Sequence, residues 1–144
     1  MQVAQILEGK GSRVATAKPG TTIAEAVASL SQEGIGALVV TDEGEQVAGI
    51  ISERDIVRGL NTHGPQLLTM RVDELMTRDV VTCGPRSRVE ELMKKMTVRR
   101  IRHLPVLACG ELSGIISIGD VVKNRLEELE TETTMLREYI VGHA

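Results

Sequence analysis

The sequence predicts an α/β fold, α+β under stricter naming, of two tandem β-α-β-β-α units packed as a pseudo-two-fold pair, with a long C-terminal helix. Three observations predict it. The segment GIISERDIVRGL, Gly49 to Leu60, returns as GIISIGDVVKNRL, Gly114 to Leu126, 65 residues later. Upstream, IGALVV from Ile35 to Val40 matches IRHLPV from Ile101 to Val106 at an offset of 66, as Thr16 and Pro19 match Thr82 and Pro85. Apolar spacing then switches between helical and strand periods in the same order in both copies. The one-residue difference falls in the turn-rich TDEGEQ stretch, where a change of loop length costs little.

Each unit opens with a short strand, expected over Val14–Ala17 and Val80–Cys83, followed by a turn containing proline. A helix follows over Thr22–Glu33, with Ile23, Ala26, Val27 and Leu30 on one face; Val89, Leu92, Met93 and Met96 are their copies. Gly34 stops the first of these helices. Strands over Ala37–Val40 and Val47–Ile51 precede a second helix that opens at Ser52. Pairing the two sheets face to face is expected to bury Val39, Ile50, Val106 and Ile115. Near the chain start, Val3, Ile6 and Leu7 correspond to Val72, Leu75 and Met76. The expected division is repeat 1 over 1–64, a linker over 65–71, repeat 2 over 72–126 and a helical extension over 127–144. In that extension Val122, Leu126, Leu129, Thr133, Leu136 and Ile140 are spaced 4-3-4-3-4, a heptad seam with one polar position. A stripe of this length needs a partner surface, and a homodimer contact is the expectation.

Composition narrows the function. With 144 residues and 42% hydrophobic content the chain can build a real core. No apolar run approaches the roughly 20 residues of a membrane span, and the start MQVAQILEGKG does not read as a secretory signal; the expected location is the cytoplasm, with no membrane partner. Cys83 and Cys109 lack metal-ligand or CxxC spacing and read as reduced thiols. A net charge of −3, one Tyr and no Phe or Trp argue against nucleic acid, which needs cationic surface and stacking platforms. Any base held here must sit between aliphatic side chains. There is no GxxxxGK[ST] loop, no cluster of metal ligands and no nucleophile constellation, so an enzyme is not expected.

The paired G-h-h-[ST]-x-x-D segments, GIISERD and GIISIGD, together with the strand RIRHLPVL, resemble the CBS domain, and two in tandem resemble a CBS pair, or Bateman module. The resemblance runs from Val3 to about Leu126, and the ending LREYI resembles small stand-alone bacterial CBS-pair proteins. It implies a regulatory module that takes an adenine nucleotide (AMP, ADP or ATP, with NAD or S-adenosylmethionine as further options) in a cleft between the repeats. No obligatory cofactor is implied, and the bound state would pass to an unidentified target protein. A structural dimerisation unit without ligand is the alternative, and a nucleotide-processing enzyme the remotest.

The residues suit that chemistry. Ser52 and Ser117 stand where a strand gives way to a helix, where free N–H groups and the helix dipole favour phosphate. Asp55 and Asp120, one turn on, are acceptors able to take both hydrogens of a ribose diol. The same S-x-x-D pattern is also a capping box. The copies differ in charge. Arg86, Arg88, Lys94, Lys95, Arg99, Arg100 and Arg102 crowd the second unit, while the matching window from Gly20 to Gly36 has no Lys or Arg. The preferred site is therefore expected beside Arg102, His103, Ser117 and Asp120, to which the resemblance adds Thr16 from the first strand of the other repeat, with Lys18 nearby, just as it adds Thr82 to the second site. A weaker one would combine Thr82, Ser52, Arg54 and Asp55.

Overall fold

A computed structural model describes residues 1–142; positions 143 and 144 of the expected extension lie outside the described residues. The order is α1 (Val3–Lys10), β1 (Thr16–Ala17), α2 (Ile23–Glu33), β2 (Ala37–Thr41), β3 (Val47–Ser52) and α3 (Glu53–His63). A 3-10 turn (Gly64–Thr69) leads to α4 (Val72–Leu75), α5 (Val89–Arg99), β4 (His103–Ala108), β5 (Glu111–Ser117) and α6 (Ile118–Gly142). This is the expected mixed fold with its long terminal helix.

The first sheet runs β1-β2-β3, with β1 parallel to β2 and β2 antiparallel to β3; the second pairs β4 with β5 antiparallel. The strand expected over Val80–Cys83 shrinks to one parallel bridge between Cys83 and Val106. Pro105 explains the loss. In the first half the Val39 amide donates to the Ala15 carbonyl at 3.2 Å. The residue equivalent to Val39 is Pro105, which has no N–H to donate.

The helix limits follow local chemistry. The Thr22 hydroxyl accepts from the Glu25 amide at 3.2 Å, capping α2. Gly34 ends α2 at φ 64°, ψ 39°, left-handed as glycine allows. At the matching position Arg100 takes φ 54°, ψ 44° without that freedom, a strain of roughly 1–2 kcal/mol.

The two cores exchange their leading helices. Val3 and Ile6 of α1 are buried with Leu92, Met96, Leu104, Val106, Ile116 and Val121 of the second half. Val72 of α4, with Leu67 and Met76, is buried with Ile23, Leu38, Val40 and Ile51 of the first half. The docking is equivalent on both sides: the Val3 amide donates to Ser87 O at 2.9 Å and the Val72 amide to Thr21 O at 2.7 Å. Two glycines let the exchanged segments come close. A Cβ on Gly49 would lie 2.6 Å from Met76 Sδ, and one on Gly114 would lie 2.8 Å from a Leu7 methyl. The first residue of each GIIS segment is thus a packing requirement.

The expected sheet-facing set needs one correction. Val106 points with Leu104 and Ile116 into the core of its own half. Val39 opposite Ile50, and Pro105 opposite Ile115, occupy the other face of each sheet. Side chains alternate along a strand, so a shift of one residue changes the face. Cys83 is buried and Cys109 exposed, both free. Burial pushes the Cys83 thiol up to about 11, which leaves it protonated and inert.

Candidate functional site

Between the two halves lies a cleft of about 880 Å³, within the usual range for small-molecule sites. The first half contributes Gly36, Ile50 and the start of α3 from Ser52 to Asp55, with Val57 and Arg58; the second contributes Thr77, Asp79 to Val81, and Arg99 to His103. The wall carries five arginines (Arg54, Arg58, Arg99, Arg100 and Arg102) against three carboxylates (Glu53, Asp55 and Asp79), an excess of positive charge. Ile50, Val57, Val80, Val81 and Ile101 give the aliphatic slot that a chain without aromatic platforms requires.

Ser52 caps α3 in extended backbone geometry, φ −116° and ψ 165°. Asp55 Oδ2 accepts from the Ser52 amide at 2.9 Å and from the Ser52 hydroxyl at 3.0 Å. Its Oδ1 accepts from the Thr77 hydroxyl at 3.2 Å, just beyond the α4 segment that packs on the first half. The capping role is therefore real. A carboxylate offers about four lone-pair positions, so Oδ1 keeps acceptor capacity toward the cleft. Arg54 Nη1 donates to the Arg100 carbonyl at 2.7 Å, tying the start of α3 to the strained residue that ends α5.

The copy of this arrangement at Ser117 and Asp120 is closed by a cation. Asp120 Oδ2 accepts from the Ser117 amide and hydroxyl, both at 2.9 Å, and from Lys10 Nζ at 2.6 Å. The same ammonium donates to the Ile115 carbonyl at 2.9 Å. In the first half it is the Thr77 amide that donates to the corresponding Ile50 carbonyl, also at 2.9 Å. Lys10 thus stands on its side where Thr77 stands on the other. Burial would raise the Asp120 carboxyl, but the Lys10 and Ser117 hydrogen bonds outweigh it and hold the group below the usual carboxylate range. Charge differs as well. Glu33, equivalent to Arg99, forms a forked pair with Arg13 at 2.7 Å for both bonds.

The expected site residues regroup accordingly. Arg102 and His103 adjoin Ser117 along the sheet, His103 being opposite Ser117, yet both line the cleft of Ser52, Arg54 and Asp55. His103 sits at the junction: its ring lies 3.1 Å from where a Gly36 Cβ would be. Burial lowers its pKa, Lys10 adds to that, Glu53 and Asp120 oppose it, and Arg102 lowers it again. Thr16 is exposed on β1, opposite Val39. Lys18 reaches Thr41 Oγ1 at 3.4 Å and Asp42 O at 3.1 Å, at the end of β2 remote from Ser52 and Gly36. Neither joins Ser117 and Asp120 through a hydrogen bond. Thr82 does not line the cleft, whereas Thr77 lines it and donates its hydroxyl hydrogen bond to Asp55. Sequence reasoning missed Thr77, Arg58, Asp79 and Lys10. The helix exchange, faintly signalled by the likeness of Val3–Leu7 to Val72–Met76, brings Thr77 and Lys10 to opposite halves. Among the described residues no group of His, Cys, Asp and Glu could hold a metal ion, and no helix is long and apolar enough to cross a membrane.

Comparison with known proteins identifies the family and the fold. The family model described as CBS domain matches twice, over residues 11–62 and 72–127. A crystal structure of the CBS-domain containing protein ATU1752 from Agrobacterium tumefaciens is 45% identical, with a TM-score of 0.84 over 86% of this chain and 92% of that one. The CBS domain pair of protein MJ0100, solved with 5′-methylthioadenosine and S-adenosyl-L-methionine, is 26% identical, with a TM-score of 0.79 over 89% of this chain and 98% of that one. Among curated proteins, the mitochondrial CBS domain-containing protein CBSX3 of Arabidopsis thaliana is 40% identical over 84% of this chain, and the match spans 61% of its length.

Proposed function

This chain belongs to the CBS-domain family, with two copies in tandem, and from that premise we propose that it is a regulatory sensor of adenine nucleotides rather than a catalyst. The observation that carries the reading is the joining of Ser52, Asp55 and five arginines around one aliphatic cleft between the repeats. The ligand's ribose diol binds Asp55. Its phosphates sit at the N-terminus of α3 among Ser52, Arg54 and Arg102. The base lies between Ile50, Val80, Val81 and Ile101. His103, largely neutral at pH 7, offers a hydrogen bond without adding charge. The complex of MJ0100 with two adenosine compounds supports the ligand class. The Ser117–Asp120 pair, expected from the sequence to form the preferred site, has its carboxylate already held by Lys10 and is the weaker one in this reading.

Binding at a boundary between halves favours one relative geometry of the repeats. A target protein that prefers that geometry is biased by the coupling energy, typically about 1–3 kcal/mol. Two copies of the chain pair to form the working unit, a role favoured by the apolar stripe that α6 leaves exposed, with Leu126 54% and Leu136 60% accessible.

Isothermal titration with AMP, ADP, ATP, NAD and S-adenosylmethionine tests the reading. At least one should bind the unaltered protein. Asp55→Ala should weaken it at least about tenfold, the size expected for a charge-assisted hydrogen bond, while Asp120→Ala leaves it within about twofold. Absence of binding by all five would remove the sensing function and leave a pairing module, while equal binding to Asp55→Ala would overturn the assignment of the ribose to this cleft.

A further inference from the structure

α6 runs 25 residues, roughly 37 Å, and only its beginning is covered. Val121 is fully buried and Asn124, Arg125 and Glu128 are half-buried against the body, while every residue from 131 to 140 is exposed. The body therefore takes one face of the helix and leaves the adjacent seam open: Val122 is 46% exposed, Leu126 54%, Leu129 42%, Leu136 60% and Ile140 58%. The polar seam position is already satisfied, since the Thr133 hydroxyl donates to the Leu129 carbonyl at 2.8 Å and leaves its methyl for the seam.

The residues flanking the seam specify the occupant. One flank carries Lys123, Glu130 and Arg137; the other carries Arg125, Glu132 and Tyr139. In a parallel two-stranded coil each flanking residue of the second set faces the residue five positions on in the first set of the other helix. Arg125 then meets Glu130, and Glu132 meets Arg137, each pair opposite in charge and each occurring twice by symmetry. In an antiparallel pairing centred on the seam, Glu132 would face Glu132, Glu130 would face Glu130, and Lys123 would face Arg137. All three are repulsive. We infer that α6 pairs with α6 of a second copy as a parallel coiled coil, with Leu126, Leu129, Thr133, Leu136 and Ile140 in its seam and Glu132–Arg137 pairs fixing its direction. The inference rests on the pairing of copies and is independent of what fills the cleft.

Light scattering on the full chain should give twice the 15.6 kDa chain mass. Glu132→Arg and Arg137→Glu should each weaken the dimer about tenfold, and the two together should restore it, because the exchanged charges again attract. In a Cys109→Ser background, Ile140→Cys should form an interchain disulfide on mild oxidation, since seam positions of parallel helices meet their own equivalents. A monomeric protein overturns the inference. A dimer that neither crosslinks at position 140 nor regains strength in the double exchange overturns the parallel seam, while the pairing stands. Titration of AMP into these variants separates the outcomes, because a coil that fails leaves cleft binding as it was.

Discussion

At the scale of single residues, close approach and strain dominate. Gly49→Ala would place a methyl 2.6 Å from Met76 Sδ and 2.8 Å from the Thr77 carbonyl. It should cost about 1–3 kcal/mol in urea unfolding, whereas Gly20→Ala, with nothing within 4 Å, should be close to neutral. Arg100 works in the opposite sense. Arg100→Gly relieves a left-handed arginine and should stabilise the fold by about 1 kcal/mol. It should also weaken nucleotide binding, because a cleft cation is lost; titration and unfolding of the same variant check both. His103 sets a pH dependence. Burial holds its folded pKa below the ordinary value of 6.5, so protonation favours the unfolded chain. Stability is complete above about pH 6.5 and declines as pH falls through the folded value. His103→Gln should flatten that part of the profile below about pH 6.5. The chemistry of Ser52, Asp55, Arg102 and His103 was legible in the sequence, since each residue type announces what it binds. Their grouping was not: spacing shows two S-x-x-D segments but not which loop faces which.

At the scale of elements, the repeat carried most of the fold. Periodicity located α2, α3, α5 and α6, because apolar faces and their stop signals are local properties. The strand over Val80–Cys83 failed because its hydrogen bonds depend on a neighbour, and Pro105, distant in sequence, withholds an amide. The exchange of α1 and α4 was equally hidden, since Val3, Ile6 and Leu7 suit either core. It makes a sharp prediction. Ile6→Ala should cost about 2–5 kcal/mol, and hydrogen exchange should rise first in β4 and β5, whose Leu104 and Ile116 share its buried cluster, rather than in the sheet of its own repeat.

At the scale of the whole molecule, a chain with a net charge of −3 concentrates five arginines around one cleft. Such a field acts on phosphates and is screened by salt. Affinity for ADP should therefore fall between about 50 and 500 mM salt, while affinity for uncharged adenosine changes little; titration at both ionic strengths reads the difference. The crossed placement of α1 and α4 also bears on how such a chain can arise or be divided. A cut at the repeat boundary before Val72 would strip α4 from the first core and leave α1 without a core to join, whereas a cut after Met76 keeps the first core whole, since its members all lie between Ala15 and Met76. The second half is the one that cannot be transplanted alone, because its core needs Val3 and Ile6 from the opposite end of the chain.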